Sequence, residues 1–392
     1  MGVFMIYICI SFLLILTLLE FCLNGKRLSP TIVMHSLWGG VLVLCAFYES
    51  SITYISFVAL FWILVGNLMF FLGGLFSKLP FNCLTANYEV KNVNLLLVAP
   101  FYIIMILIIF HMYNEGKSIS ENWYMGIRLI INYGEPDEYF KVFGYLYYFI
   151  YPVLYISAVV KFKNPNKENA RVFYFHLFLS LIYAFFSTAK IKLLLMVLPV
   201  FFIRSYYKPS STKLILAIVG LILAGMYCSL YLLNKIRGND SFTDMLLSNI
   251  GSYTFANLFA FDSLDFKSFP SMDCNDTNGC QLLPFYEDSY FRTNVYTVMY
   301  KFIDVGLLGY AFFMLFIGTL HNFFHQLARK TKSIYFVIFS SILYFPLFFQ
   351  IMDDQYISSK YLLWLFFFTA IWILCTRIKI VMFVTSRKHV DL

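Results

Sequence analysis

The 392-residue chain is poor in charge: Asp, Glu, Lys and Arg make up 13% of it, about half the share of soluble domains. No stretch rich in Pro, Gly or Ser marks a linker, and no internal repeat is detectable, so residues 1–392 read as one domain. Cys and His residues never fall at zinc spacing, and neither a phosphate-cradling glycine loop nor a serine elbow occurs. These absences leave no expected metal or cofactor. The apolar run after Met1-Gly2 lacks a basic start and a small-residue cleavage pattern, so a retained helix is expected there and not a signal peptide.

What is present is apolar, with 60% hydrophobic residues. Uncharged runs of about 18 or more residues are long enough to cross hydrocarbon as helices. They are too long for barrel strands, and open sheets cannot satisfy their edges in lipid. The expected fold class is all-α, a polytopic transmembrane bundle of about eleven helices. The expected spans are 3–23, 31–48, 52–75, 93–113, 140–160, 170–187, 191–207, 213–233, 302–324, 334–352 and 361–383.

Charge placement orients the bundle. One set of connections carries Lys26, Arg27, Lys78, Lys91, Lys161, Lys163, Lys167, Arg171, Arg204, Lys208 and Lys213. Arg329, Lys330, Lys332, Arg377, Lys379, Arg387 and Lys388 continue that set. Of the 21 acidic residues only Glu20, Glu89, Glu168 and Asp391 share that side. The positive-inside rule makes it cytoplasmic, which puts the N-terminus outside and the C-terminus inside. The net charge of +8 is then a topology signal, and no basic-aromatic module for nucleic acid accompanies it.

A polar loop at 234–301 faces outward in this topology, between the eighth and ninth expected spans, and a bundle that only spans lipid has no need of it. It opens on Lys235 and Arg237, is acidic in its middle, and closes on Arg292-Thr293-Asn294-Val295-Tyr296-Thr297. Cys274 and Cys280 flank Asn278-Gly279, so an oxidising exterior favours a small disulfide ring with a tight turn. A calcium loop is disfavoured, because Pro284 stands where a bidentate Glu belongs.

Outward cations are the candidate binding groups. Arg128 lies in the amphipathic stretch Trp123–Ile130, expected along the membrane plane. Lys190 and Lys192 follow an abrupt turn between two spans, where they would snorkel outward or bind an anion. Arg237 and Arg292 bracket the long loop, and arginine's planar fork suits phosphate oxygens. They would clamp a diphosphate, or else pair locally with Asp240 and with Glu287 or Asp288. Asp304 opens the ninth span as a cap or a general base; Asp353 and Asp354, in the last outer loop, compete for the second role. His35, His321, His325 and His389 map to the basic side, His176 falls inside a span, and His111 is a weak acid/base candidate. The 46 Phe and 30 Tyr fit an aromatic belt.

Asn294-Val295-Tyr296-Thr297 followed by Asp304-Val305-Gly306-Leu307-Leu308-Gly309 resembles the signature of bacterial O-antigen polymerases of the Wzy type. Ser187-Thr188-Ala189-Lys190 resembles a second characteristic turn of that family, with Lys190 where Arg is common. Arg237 and Tyr253 stand where the family tends to place a basic residue and a Tyr. The resemblance implies a GT-C-like glycosyltransferase of the Gram-negative inner membrane, working without a metal at the periplasmic face. Its substrate would be an undecaprenyl-diphosphate-linked oligosaccharide within membrane lipid, and its partner a polysaccharide chain-length regulator. Arg237 and Arg292 would hold the diphosphate, assisted by Arg128 or Lys190; Asp304 is a candidate base; Lys192, Tyr253, Asn294 and Tyr296 join the substrate-binding set. A lipid-linked oligosaccharide flippase and an O-antigen ligase remain alternatives. Transporters favour mid-membrane polar groups and short outer loops, whereas this sequence sets its charges outside.

Overall fold

The computed structural model describes residues 2–24, 28–48, 55–77, 91–208, 251, 254–264, 286–287, 292–293, 296–356 and 361–376. Its helices are α1 (Gly2–Asn24), α2 (Pro30–Tyr48), α3 (Phe57–Phe76), α4 (Leu95–Ile119), α5 (Trp123–Tyr133), α6 (Glu138–Tyr145) and α7 (Tyr147–Lys163). There follow α8 (Lys167–Phe186), α9 (Lys190–Tyr207), α10 (Ala256–Asp262), α11 (Gly306–Thr331), α12 (Ile334–Phe349) and α13 (Tyr361–Cys375). A 3₁₀ turn, Val298–Phe302, precedes α11, and two-residue strands β1 (Tyr286–Glu287) and β2 (Arg292–Thr293) pair antiparallel. Seven of the described helical spans are long and apolar enough to cross a bilayer, and α12 and α13 are shorter apolar helices. The chain is therefore a helical membrane protein. The expected span 213–233 lies outside the described residues, as does most of the 234–301 loop.

Local chemistry sets the boundaries. Ser56, Asn94, Asn122, Asp137 and Asn166 each accept a backbone N–H at a helix start, relieving orphan donors that lipid would leave unpaired. The span expected at 140–160 is a 26-residue segment broken at Leu146 between α6 and α7. The amphipathic stretch expected along the membrane plane forms a separate helix, α5, whose Gly126 packs so closely against Gly116 of α4 that a Cβ would collide with backbone.

Two cores result. One gathers around α7, which is buried along almost its whole length against α4, α8, α9, α12 and α13. The other lies between α1, α2, α3, α10 and α11. Helices α3 and α11 run parallel in near-contact: a Cβ at Gly73 would lie 2.4 Å from the Leu315 carbonyl oxygen, and one at Gly318 2.4 Å from that of Phe70. Close backbone approach through small residues is how helices bind where lipid removes the hydrophobic drive.

Candidate functional site

The described elements bring together two polar clusters. The first forms where the α8–α9 turn meets α5. Ser187 and Thr188 close α8, their amides donating to the carbonyls of Tyr183 and Phe185, and Thr188 has φ +51°. That left-handed conformation is costly for a β-branched residue. Arg128 donates from Nη1 to the Thr188 carbonyl at 3.2 Å across 60 residues of sequence. This is the one hydrogen bond of Arg128 among the described residues, so most of its five N–H donors are available.

Lys192, one turn into α9, does not snorkel outward. Its Nζ sits 3.2 Å from the centre of the Tyr147 ring, a cation–π contact strongest where water is scarce. Lys190 is the first residue of α9. Arg128 thus reaches from α5 to the turn that leads into these lysines.

The second cluster is a polar turn that sinks into the bundle after α12. With 16 residues, α12 rises about 24 Å, short of the roughly 30 Å hydrocarbon core. Pro346 cannot donate, and beyond Phe349 the chain turns: the Met352 and Asp353 amides both donate to the Phe349 carbonyl. Gln350 donates to Met34 of α2, and its own carbonyl accepts from Val298 of the 3₁₀ turn. Asp353 accepts from the Asp354 amide (2.7 Å), and Asp354 accepts from the Tyr356 amide (2.8 Å). The Tyr356 hydroxyl reaches His321 Nε2 at 3.0 Å, fifteen residues into α11. The loop expected as the last outer connection is thus a buried turn, with Gln350 and Asp354 fully enclosed.

Around Asp353 stand the Tyr300 hydroxyl and Lys301, the latter 4.8 Å from the Tyr300 ring centre. Burial raises the Asp353 carboxyl above the usual carboxylate range, and neighbouring Asp354 adds to this. The Asp354 amide, Lys301 and Tyr300 oppose the rise without cancelling it. Burial and the two aspartates likewise push the Tyr300 phenol up. A half-buried carboxyl raised toward neutrality and still reachable has the properties of a general base. Gln355 accepts from the Tyr361 hydroxyl at 2.9 Å, and Tyr361 in turn lies within electrostatic reach of Tyr147, beneath Lys192.

The remaining expectations divide. Tyr296 is buried, its ring 5.8 Å from that of Tyr300, beside the second cluster. Asp304 is exposed; Val305 occupies the cap position of α11 with no side-chain cap bond, so the capping role is not observed. Arg292 lies in β2, with Glu287 of β1 as its backbone partner. Arg237, Tyr253, Asn294, Cys274 and Cys280 lie outside the described residues. His176 is packed and hydrogen-bonded, 2.6 Å from the Tyr102 hydroxyl. His111 pairs with Asp137 at 2.7 Å. His321, expected far from outer chemistry, is instead tied to the sunken turn.

Sequence reasoning passed over Gln350, Gln355, Tyr356 and Tyr361. The available signal was Gln350-Ile351-Met352-Asp353-Asp354-Gln355, polar residues reached only four positions after Pro346. A separate cleft of 360 Å³ between α4, α5 and α6 is lined by Glu115, Glu135 and Asp137 with apolar neighbours, and its carboxylates would repel an anionic ligand. Among the described residues no cluster of three or more His, Cys, Asp or Glu could hold a metal ion. No protein-family model, curated protein or solved structure matches the chain.

Proposed function

We propose that the chain is a glycosyltransferase that polymerises undecaprenyl-diphosphate-linked oligosaccharide units at the outer face of a bacterial inner membrane. The observation that carries the reading is the meeting of Arg128 with the Thr188 carbonyl, beside Lys192 and the start of α9. It brings a guanidinium to the turn that leads into the lysine-bearing start of α9, a combination that would suit an anionic diphosphate. The resemblance of 187–190 and 294–309 to O-antigen polymerases points to the same chemistry.

In this reading Arg128 and Lys192, with Lys190, Arg237 and Arg292 as further candidates, hold the diphosphate. Asp353 is the proposed base and Asp304 the alternative. The acceptor hydroxyl gives its proton to the carboxylate as its oxygen bonds to the anomeric carbon, and the bond from that carbon to the diphosphate oxygen breaks. The leaving diphosphate takes the electron pair, and its charge falls on the cations. Preorganised donors at such a site are worth on the order of 3 kcal/mol each.

The test is the surface glycan of a strain carrying a deletion of the gene. Single repeat units on the carrier lipid core are expected, restored to a ladder of lengths by the wild-type chain and not by Arg128→Ala. A ladder persisting in the deletion strain refutes the reading. A flippase is the second reading, favoured by the buried histidines of α2 and α11; its loss would leave almost no glycan of any length.

A further inference from the structure

We propose that the chain conducts protons along a file of side chains running from Glu20 to Asp353. The inference does not depend on glycosyl transfer. At one end Glu20, on the basic side of the bundle, is buried and accepts from Ser29 at 2.8 Å. It lies within electrostatic reach of Tyr344. The Tyr344 hydroxyl meets His325 Nδ1 at 3.2 Å, and Tyr206 meets the same nitrogen at 2.8 Å. One helical turn away on α11, His321 Nε2 meets the Tyr356 hydroxyl at 3.0 Å. The Tyr356 backbone amide donates to Asp354 at 2.8 Å, its hydroxyl lies within electrostatic reach of that carboxylate, and Asp353, Tyr300 and Lys301 are partly exposed at the far end.

Unspent nitrogens separate this file from ordinary core hydrogen bonding. His325 Nε2 and His321 Nδ1 are both buried with no partner among the described residues. Leaving such atoms unpaired is costly, and native interiors rarely do so. Residues four apart on a helix face are neighbours, with Cβ atoms about 6 Å apart. In the proposed file a water between the two nitrogens would have two partners and join the imidazoles, and waters would likewise carry the proton from Glu20 to Tyr344 and from the Tyr356 hydroxyl to the aspartates.

Every member can pass a proton without leaving its place. A hydroxyl both donates and accepts, and a neutral imidazole does so through different nitrogens. A proton arriving at one nitrogen releases another from the opposite one, and ring and hydroxyl rotation reset the file. One proton enters as one leaves, only O–H and N–H bonds exchange, and no oxidant or reductant takes part. The two histidines thus serve the role that ionisable side chains inside membranes commonly serve.

The test uses the full-length chain in liposomes enclosing a pH-sensitive dye, with a potassium gradient and valinomycin setting the voltage. Wild-type vesicles should change pH faster than protein-free vesicles. Tyr356→Phe and His321→Gln should each slow this about tenfold, equivalent to roughly 1.4 kcal/mol on one transfer step. Tyr102→Phe, outside the file, should leave it unchanged. Matching elution and melting profiles identify variants that fold, and deuterium oxide should slow the wild-type flux without any substitution. Wild-type flux no greater than that of empty vesicles overturns the proposal. So does wild-type flux in folded Tyr356→Phe and His321→Gln, or a flux indifferent to deuterium oxide.

Discussion

The two cores treat buried polar atoms differently. Around α7 the tyrosine hydroxyls are mostly committed: Tyr151 donates to the Lys192 carbonyl, Tyr155 to that of Leu195, and Tyr183 to that of Phe143. Each fills a backbone acceptor on a neighbouring element and locks two segments together. Between α2, α3, α11 and the sunken turn, several groups have no partner among the described residues: His35 Nε2, Trp38 Nε1, Tyr310 hydroxyl, His321 Nδ1 and Gln350 Oε1. The α7 side keeps open atoms too, Ser180 Oγ and Trp372 Nε1 among them, but its tyrosines brace the frame, whereas the open groups of the other side include imidazoles able to exchange protons.

The largest test of this contrast is mechanical. Gly318→Leu forces a side chain into the Phe70 backbone, and overpacking of about 3 kcal/mol should abolish recovery of folded protein, read by elution in detergent. Next is Asp353→Asn, which keeps shape and removes the base. Glycan polymerisation should fall at least about 100-fold, with the melting temperature near wild type. A full ladder from that variant would return the base role to Asp304. Arg128→Ala should lower polymerisation about 100-fold and Arg128→Lys less, measured on glycan ladders at equal protein level.

Smaller effects probe the frame. Tyr155→Phe leaves the Leu195 carbonyl without its donor and should cost about 1–3 kcal/mol, read as a lower melting temperature, with polymerisation per folded molecule retained. The smallest concerns Asp137. Burial raises its carboxyl, but the Phe140 amide and His111 outweigh this, so its range is lowered on balance. A lowered carboxyl stabilises the fold above its unfolded value of about 3.8 and loses that contribution as pH falls through the native value. Melting curves from pH 5 to pH 3 should therefore fall more steeply for wild type than for Asp137→Asn.

The helices were legible because hydrocarbon imposes length and polarity on every span, and α5 as a separate element because its apolar residues fall on one side. The tight 187–190 turn could be read from two apolar runs with no room between them. The sunken turn could not. Asp353 and Asp354 look the same in an outer loop or in a pit, and only the shortness of α12, set by Pro346 and Gln350, separates the two. His321 was misjudged for a related reason: counting residues gives its height along α11, not the depth to which Tyr356 descends to meet it.

The sunken turn also has an electrical consequence. With Asp353, Tyr300 and Lys301 partly exposed and Tyr356 bonded to His321, polar groups continue from the turn to the middle of α11. From His321 to the end of α11 remain only about 15 Å of helix. A unit charge passed along the proposed file is worked on by the membrane potential, about 2.3 kcal/mol for each 100 mV it crosses, so the flux would be set by voltage as well as by pH.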